Sequence, residues 1–350
     1  MQRFQAMPPV GILFDCDLGN DIEDALALAL LYGLEGKQEC RVVGTTVSKP
    51  SLASAAFCEV IGRFYSGQAA GELSPRYRAL PVGMPEKGAP AGETPMLRAP
   101  LSRKTSEGTA LYRHTIEKLT DTAEPVNVLR NALSAQHPQN AIVVVAGPLT
   151  NLAALLRHPP AEAFLRERCR LLVMAAGRFG AGKPEAAILA DVAAAKQVLA
   201  SWPTPIVAVG AEVGEAVPFP AASIEKDFAW SEAHPVVDAY RAFRTMPYDA
   251  TTTAMAAALY AVREKASLLA LSEPGTITVG EDGATEFRGG AEGKHFHLRI
   301  EPANVAKVQE VFIQLASAKP VPRGPRRPPA APEPPPAPKP PSSEAKPNAK

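Results

Sequence analysis

Residues 11–33 read GILFDCDLGNDIEDALALALLYG, and no other stretch of the chain restricts the possible folds as much. Residues 12–14 are an apolar run suited to a buried strand. The run stops in five carboxylates (Asp15, Asp17, Asp21, Glu23, Asp24) around Gly19, and an uninterrupted apolar helix is expected over 25–32. A strand that ends at a glycine-containing turn and feeds a buried helix opens an α/β sheet in which ligands sit at the carboxyl ends of the strands. Like charges repel, and burying one unpaired charge costs roughly several kcal/mol, so something positive belongs among these acids. Capping by Asn20 or Asp21 and the helix dipole account for Asp21, Glu23 and Asp24. They do not account for Asp15 and Asp17, which strand alternation places on one face. Clustered carboxylates need a cation, which makes Asp17 and Asp24 candidates for a metal or catalytic role and leaves Asp21 between cap and site.

The pattern after this opening alternates. Strands are expected over 40–47, 81–84, 141–146, 171–176 and 205–210, and helices over 51–65, 108–119, 125–136, 152–157 and 193–202. The segment 85–105 is rich in Gly, Pro and Ser and reads as a long surface loop. Sustained alternation gives an α/β fold with an open, mostly parallel sheet flanked by helices. Residues 224–263 follow as helix broken at 246–249. Strands over 276–279 and 295–300 read as a small antiparallel edge pair, and a helix over 304–318 closes the domain. His295 and His297 read as a solvated pair on that edge, since no ligand motif lies nearby. The expected organisation is one α/β domain over residues 1–318 and a disordered Pro/Lys/Arg-rich tail over 319–350.

Bulk properties remove several function classes. A net charge of +1 gives no electrostatic reason to expect nucleic acid or a membrane surface as partner. Cys16, Cys40, Cys58 and Cys169 form no CxxC pair, which argues against a zinc site or a disulfide framework and for a reducing, cytoplasmic setting. No run is long and apolar enough for a secretion signal or a membrane span.

The acidic opening resembles that of the inosine-uridine-preferring nucleoside hydrolases. The resemblance is carried by Asp15-Cys16-Asp17-Leu18-Gly19 through Asp24-Ala25-Leu26-Ala27-Leu28. It continues in order through Gly44-Thr45-Thr46-Val47, Gly147-Pro148-Leu149-Thr150-Asn151 and Asp249. It spans roughly residues 11–317. The resemblance implies a nucleoside hydrolase-like, Rossmann-like core and cleavage of the N-glycosidic bond of a small nucleoside at a calcium ion. It implies calcium ligation by Asp17, Asp24, Asp249 and a backbone carbonyl near Ala146, with Asp17 also taking a proton from the attacking water. Glu23 falls where the family has an aspartate facing the sugar hydroxyls, Glu185 matches a second sugar-binding position, and Asp21 lies in a two-residue expansion of the motif. Homo-oligomers, dimers or tetramers, are implied as well. Calcium is chemically consistent with such a donor set, since it takes six to eight oxygens.

Three positions depart from the family pattern. Pro50 stands near where the family offers an asparagine to the ribose, Ala187 stands where it has another, and Tyr248 stands where one branch has a histidine. Tyr248 has the chemistry to stack on a base or to donate its hydroxyl. The lost contacts make a catalytically impaired member that binds calcium and a ribosyl ligand the first alternative. A haloacid-dehalogenase-type phosphatase using Asp15 and Asp17 is the second, disfavoured by Gly19 and by the lack of a later magnesium motif.

Overall fold

The computed structural model describes residues 8–67, 80–88 and 95–321. Among the described residues ten strands form one sheet: β1 (Val10–Cys16), β2 (Cys40–Val47), β3 (Val82–Gly83), β4 (Ala141–Ala146), β5 (Cys169–Ala175), β6 (Ile206–Val209), β7 (Ala270–Leu271), β8 (Gly275–Val279), β9 (Thr285–Gly289) and β10 (His295–Arg299). The helices of the first half are α1 (Glu23–Gly36), α2 (Leu52–Tyr65), α3 (Pro95–Ser102), α4 (Pro125–Ser134), α5 (Thr150–Leu156) and α6 (Ala161–Arg168). Those of the second half are α7 (Ala186–Ala190), α8 (Val192–Ser201), α9 (Ala211–Ala216), α10 (Ala221–Lys226), α11 (Pro235–Phe243), α12 (Thr253–Arg263) and α13 (Val305–Ala316).

The sheet runs β3-β2-β1-β4-β5-β6-β10-β8-β9, with β7 also paired to β10. Every pairing from β3 to β10 is parallel, and β7, β8 and β9 add an antiparallel margin. The fold is therefore the open, mostly parallel α/β sheet that the strand–helix alternation requires. Strand order reverses between β1 and β4, and a crevice opens at the carboxyl ends of strands at such a switch point.

Alternation along β1 divides the interior in two. Ile12, Phe14 and Cys16 enter a core shared with α1, α2, α12 and α13, while Leu13 joins Val143 and Val145 against α4, α5 and α8. Helix α1 is buried at every residue from Asp24 to Leu34, as expected of a helix apolar on all sides. Gly33 permits this: a Cβ there would lie 2.1 Å from the Leu315 carbonyl oxygen on α13.

Several expectations need correction. The surface loop over 85–105 contains α3, whose Met96 and Leu97 are buried where it packs on α11 and α2; residues 89–94 lie outside those described. The helix expected over 108–119 is absent: the backbone N–H groups of Thr115 and Ile116 donate to the Glu59 carboxylate on α2 instead of to helical carbonyls. The antiparallel edge pair is β8 with β9; β10 lies inside the sheet beside β6. Strand β9 carries Glu286 and Arg288 on its exposed positions, which hides it from an apolar pattern. His295 is buried and accepts from Ile277 N–H at 2.9 Å through Nδ1, and His297 packs between the Phe179 and Phe287 rings, so the pair is not a solvated one. The four cysteines are free and buried. No helix among the described residues is long and apolar enough to cross a membrane. Most of the expected tail, residues 322–350, lies outside those described.

Candidate active site

A cavity of about 220 Å³ opens at the switch point, lined by Asp17, Asn20, Asp21, Glu23 and Asp24 from the β1–α1 connection. Ala146 and Gly147 close it from the end of β4, Glu185 and Ala187 from α7, and Thr251, Thr253 and Ala254 from the entry to α12. Two glycines shape the turn. Gly19 holds φ at +110°, and a Cβ on it would meet Leu97 at 2.6 Å. A Cβ on Gly147 would lie 2.8 Å from the Asp17 nitrogen, so only glycine lets β4 come this close.

The two acids expected on one strand face separate. Asp15 is fully buried inside the sheet, where it accepts from Thr46 Oγ1 at 2.5 Å and from Asn151 Nδ2 at 2.7 Å. Burial raises its pKa to about 7 against those two hydrogen bonds. It ties β1 to β2 and α5 and takes no part in the cavity wall. Asp17 lies one residue past the strand end, its N–H bonded to the Ala146 carbonyl at 3.1 Å and its Oδ2 accepting from Asn20 Nδ2 at 2.6 Å.

The cavity acids sit in a field of their own making. Burial pushes the Asp17 carboxyl up, and Lys49, the Asn20 amide and a hydrogen bond with Asp24 pull it back. Asp24 is pushed well above the carboxylate range by burial and then by Asp17, Asp21 and Glu23. Asp17 and Asp24 are thus both raised, each carboxyl resisting ionisation beside the other. Burial, with Glu23 and Asp17 adding to it, raises Asp21 to about 8. Burial also raises Glu23 and Glu185. Lys49 Nζ donates to Asn20 Oδ1 at 2.6 Å, and burial lowers the lysine's pKa against the pull of Asp17, Asp24 and Asp21.

Glu23 has a mechanical role as well. Its carboxylate accepts from Thr251 Oγ1 and, at 3.1 Å, from Ala254 N–H, so an acid on α1 caps α12 across 231 residues. Glu185 caps α7 through Ala187 and Ile188 N–H. Of the residues singled out in the sequence, Asp17, Asp21, Glu23, Asp24, Ala146 and Glu185 thus converge on one cavity.

Tyr248 and Asp249 do not join them. The Tyr248 ring stacks on Tyr240 at 4.4 Å and its hydroxyl donates to the Tyr240 carbonyl at 2.6 Å. Asp249 is exposed and accepts from Ala221 N–H at 2.8 Å, at the start of α10. The paired bridge between Phe219 and Ala250 fixes it there. The late chain reaches the cavity through Thr251, Thr253 and Ala254 instead. A run of threonines just before an apolar helix is a start signal that marks this entry in the sequence. The sequence marks Asn20 only as a candidate helix cap, and nothing local gives Lys49 a role.

Of the calcium donors that the resemblance implies, Asp17, Asp24 and the Ala146 carbonyl come together, and Asp249 does not. Among the described residues no three His, Cys, Asp or Glu side chains are grouped as metal ligands. With Asp249 elsewhere the implied set is left with two carboxylates and one carbonyl, and a lysine already stands in their field; Asp21, Glu23 and Glu185 share the cavity but are not grouped with them as ligands. This donor set does not fit a calcium centre.

The sequence model of the inosine-uridine preferring nucleoside hydrolases matches residues 12–311. No curated protein sequence matches the chain. Among solved structures, a plant nucleoside hydrolase is similar at a TM-score of 0.64 and 19% identity, over 89% of this chain and 100% of its own. A purine-preferring ribonucleoside hydrolase from Gardnerella vaginalis is similar at 0.62 and 16%, over 88% and 99%. The type III effector XopQ, solved with adenosine diphosphate ribose, is similar at 0.59 and 14%, over 90% and 94%. At these identities the likeness establishes the fold.

Proposed function

The chain belongs to the inosine-uridine preferring nucleoside hydrolase family, and from that membership we propose that it hydrolyses the N-glycosidic bond of a ribonucleoside to free base and ribose. The observation that carries the reading is Asp17. It is a carboxyl group at a strand end facing a cavity, supported by the Asn20 amide and by the nearby Lys49. In this reading Asp17 accepts a proton from water, and the resulting hydroxide bonds to the anomeric carbon as the bond to the base nitrogen breaks. The electron pair leaves with the base. The transition state resembles an oxocarbenium ion, which the surrounding carboxylates favour. Asp21, with its pKa near 8, is a neutral acid at pH 7 and has a proton to offer either a ribose oxygen or the departing base.

Glu23 and Glu185 line the cavity as hydrogen-bond acceptors for sugar hydroxyls. The calcium dependence that the resemblance implies would rest on Asp17, Asp24, Asp249 and the Ala146 carbonyl. With Asp249 bonded elsewhere, no step here is routed through an ion. Activity in the domain through residue 318, a homo-oligomeric assembly and a cytoplasmic setting are parts of the same proposal.

A second reading, a family member that binds a ribosyl ligand without turning it over, is favoured by one observation: the Ala187 methyl stands in the cavity wall where a sugar-binding amide was expected. Free base measured chromatographically after incubation with purine and pyrimidine ribonucleosides separates the two. Release that disappears in Asp17→Asn supports hydrolysis. Ribose or nucleoside binding without release supports the second reading, and phosphate released from a generic ester points to neither.

A further inference from the structure

The acids of the cavity raise a question of charge that the proposed reaction leaves open: what balances them. Parallel pairing of β1 with β2 sets Cys16 opposite Val47, so the two chains leave the sheet side by side and bring Asp17 and Lys49 to the same end. Pro50 and the bond from Ser51 N–H to the Lys49 carbonyl at 2.9 Å hold the turn that follows. The Lys49 side chain runs under Gly19, 3.4 Å from where a Cβ would stand. It is nearly fully buried, does not line the cavity, and donates from behind the wall to Asn20 Oδ1 at 2.6 Å. Asn20 passes the polarity on, its amide N–H reaching Asp17 Oδ2 at 2.6 Å. Arg178, at the rim, is held instead by both oxygens of Glu215 at 3.0 and 2.5 Å.

We propose that Lys49 is the resident counter-cation of this site: through Asn20 it positions the Asp17 carboxyl group, in the place of the divalent ion that the fold family implies, and the chain needs no metal. The inference rests on the hydrolase reading for its catalytic consequence, but not for its metal consequence. Lys49 is a positioning residue, since it touches neither the cavity space nor the reacting atoms. An ammonium on a four-carbon stem is a compact point charge suited to such a post. One Asp24 oxygen is left without a hydrogen-bond partner among the described residues.

The full chain, stripped with chelator and dialysed, is titrated with calcium alone by calorimetry and its bound metal counted by mass spectrometry. The wild type is expected to hold no stoichiometric calcium, to melt at one temperature in calcium and in chelator, and to release base equally in both. In Lys49→Met the unbalanced acids are expected to gain a calcium-dependent rise in melting temperature, and kcat falls about tenfold with KM little changed. Lys49→Arg restores part of kcat, which a merely structural role would not predict. One calcium per chain in the wild type, or base release lost in chelator and regained with calcium, overturns the proposal. So does a Lys49→Met chain with full activity and no new affinity for calcium. If that variant fails to fold, the wild-type metal measurements decide alone. If no nucleoside is cleaved, the hydrolase reading falls while the calcium titration still judges this one.

Discussion

Glu59 and Asp24 are carboxyl groups buried to 4% and 3% exposure, on two helices that pack together, α2 and α1. Their surroundings are opposite. Glu59 accepts from Arg63 Nε at 2.6 Å, from Thr115 N–H at 2.8 Å and Oγ1 at 2.9 Å, and from Ile116 N–H at 3.2 Å, with the Arg63 Nη2 at 2.5 Å. Asp24 has one oxygen without a partner and is pushed well above the carboxylate range by burial and by Asp17, Asp21 and Glu23. A buried charge that is fully met organises structure, here by fastening residues 115–116 to α2. A buried carboxyl that is poorly met is held there by the rest of the fold and keeps its bonding capacity for something outside the chain. Sites of function are where such capacity is left over.

The comparison breaks if removing a cavity acid unfolds the protein. Asp17→Asn is expected to lower base release by at least about a thousandfold, as loss of a general base that also positions water does. It should leave the melting temperature unchanged or raise it, because a repelling charge has gone; a melting temperature that falls instead would put Asp17 in the structural class. The converse test is Glu59→Ala. It removes a buried ion pair with Arg63 and the acceptor of the Thr115 and Ile116 N–H groups, and is expected to cost about 3–5 kcal/mol in urea unfolding. Turnover by the folded fraction should change little, and a large kcat loss at full folding would undo the division.

His234 sharpens the contrast, being buried among Phe64, Phe228 and Trp230 with its Nδ1 unpartnered. Burial lowers its pKa to about 3. Between pH 6.5 and 3 the unfolded chain binds a proton that the folded chain refuses. Stability from this residue is therefore whole above pH 6.5 and declines by roughly 1.4 kcal/mol per pH unit below it. His234→Phe is expected to lower the acid-unfolding midpoint, and an unmoved midpoint would count against that assignment. The smallest effect expected is at Ser51, whose Oγ accepts from Ser54 N–H at 3.1 Å as the cap of α2. Ser51→Ala should cost about 1 kcal/mol in the same unfolding assay, with kcat unaltered.

The strand–turn–helix opening was legible because its cause is local. An apolar run that halts at acids and resumes as a helix has few folded forms, and Gly19 at positive φ is the turn that the pattern demands. The convergence of Asp17, Asp21, Glu23, Asp24, Ala146 and Glu185 followed from ordered motifs at strand ends. Asp249 was misplaced for an equally physical reason. An acid ahead of an apolar helix reads as the helix's start, but α12 begins at Thr253, and Asp249 is drawn to Ala221 by a bridge with residue 219. The segment 108–119 failed as a helix because Glu59, fifty-six residues away from Thr115, supplies the acceptor.

What the amino-acid order settled by itself is the alternating α/β sheet, the acidic end of β1 and the family, since periodicity and short motifs act within a few residues of one another. What only the folded molecule decided is which acids share a wall, which are turned to capping or fastening, and that Lys49 stands behind Asn20. Those outcomes are set by strand register and helix packing, which join residues tens to hundreds of positions apart, and the strength of a charge depends on neighbours that chain distance does not reveal.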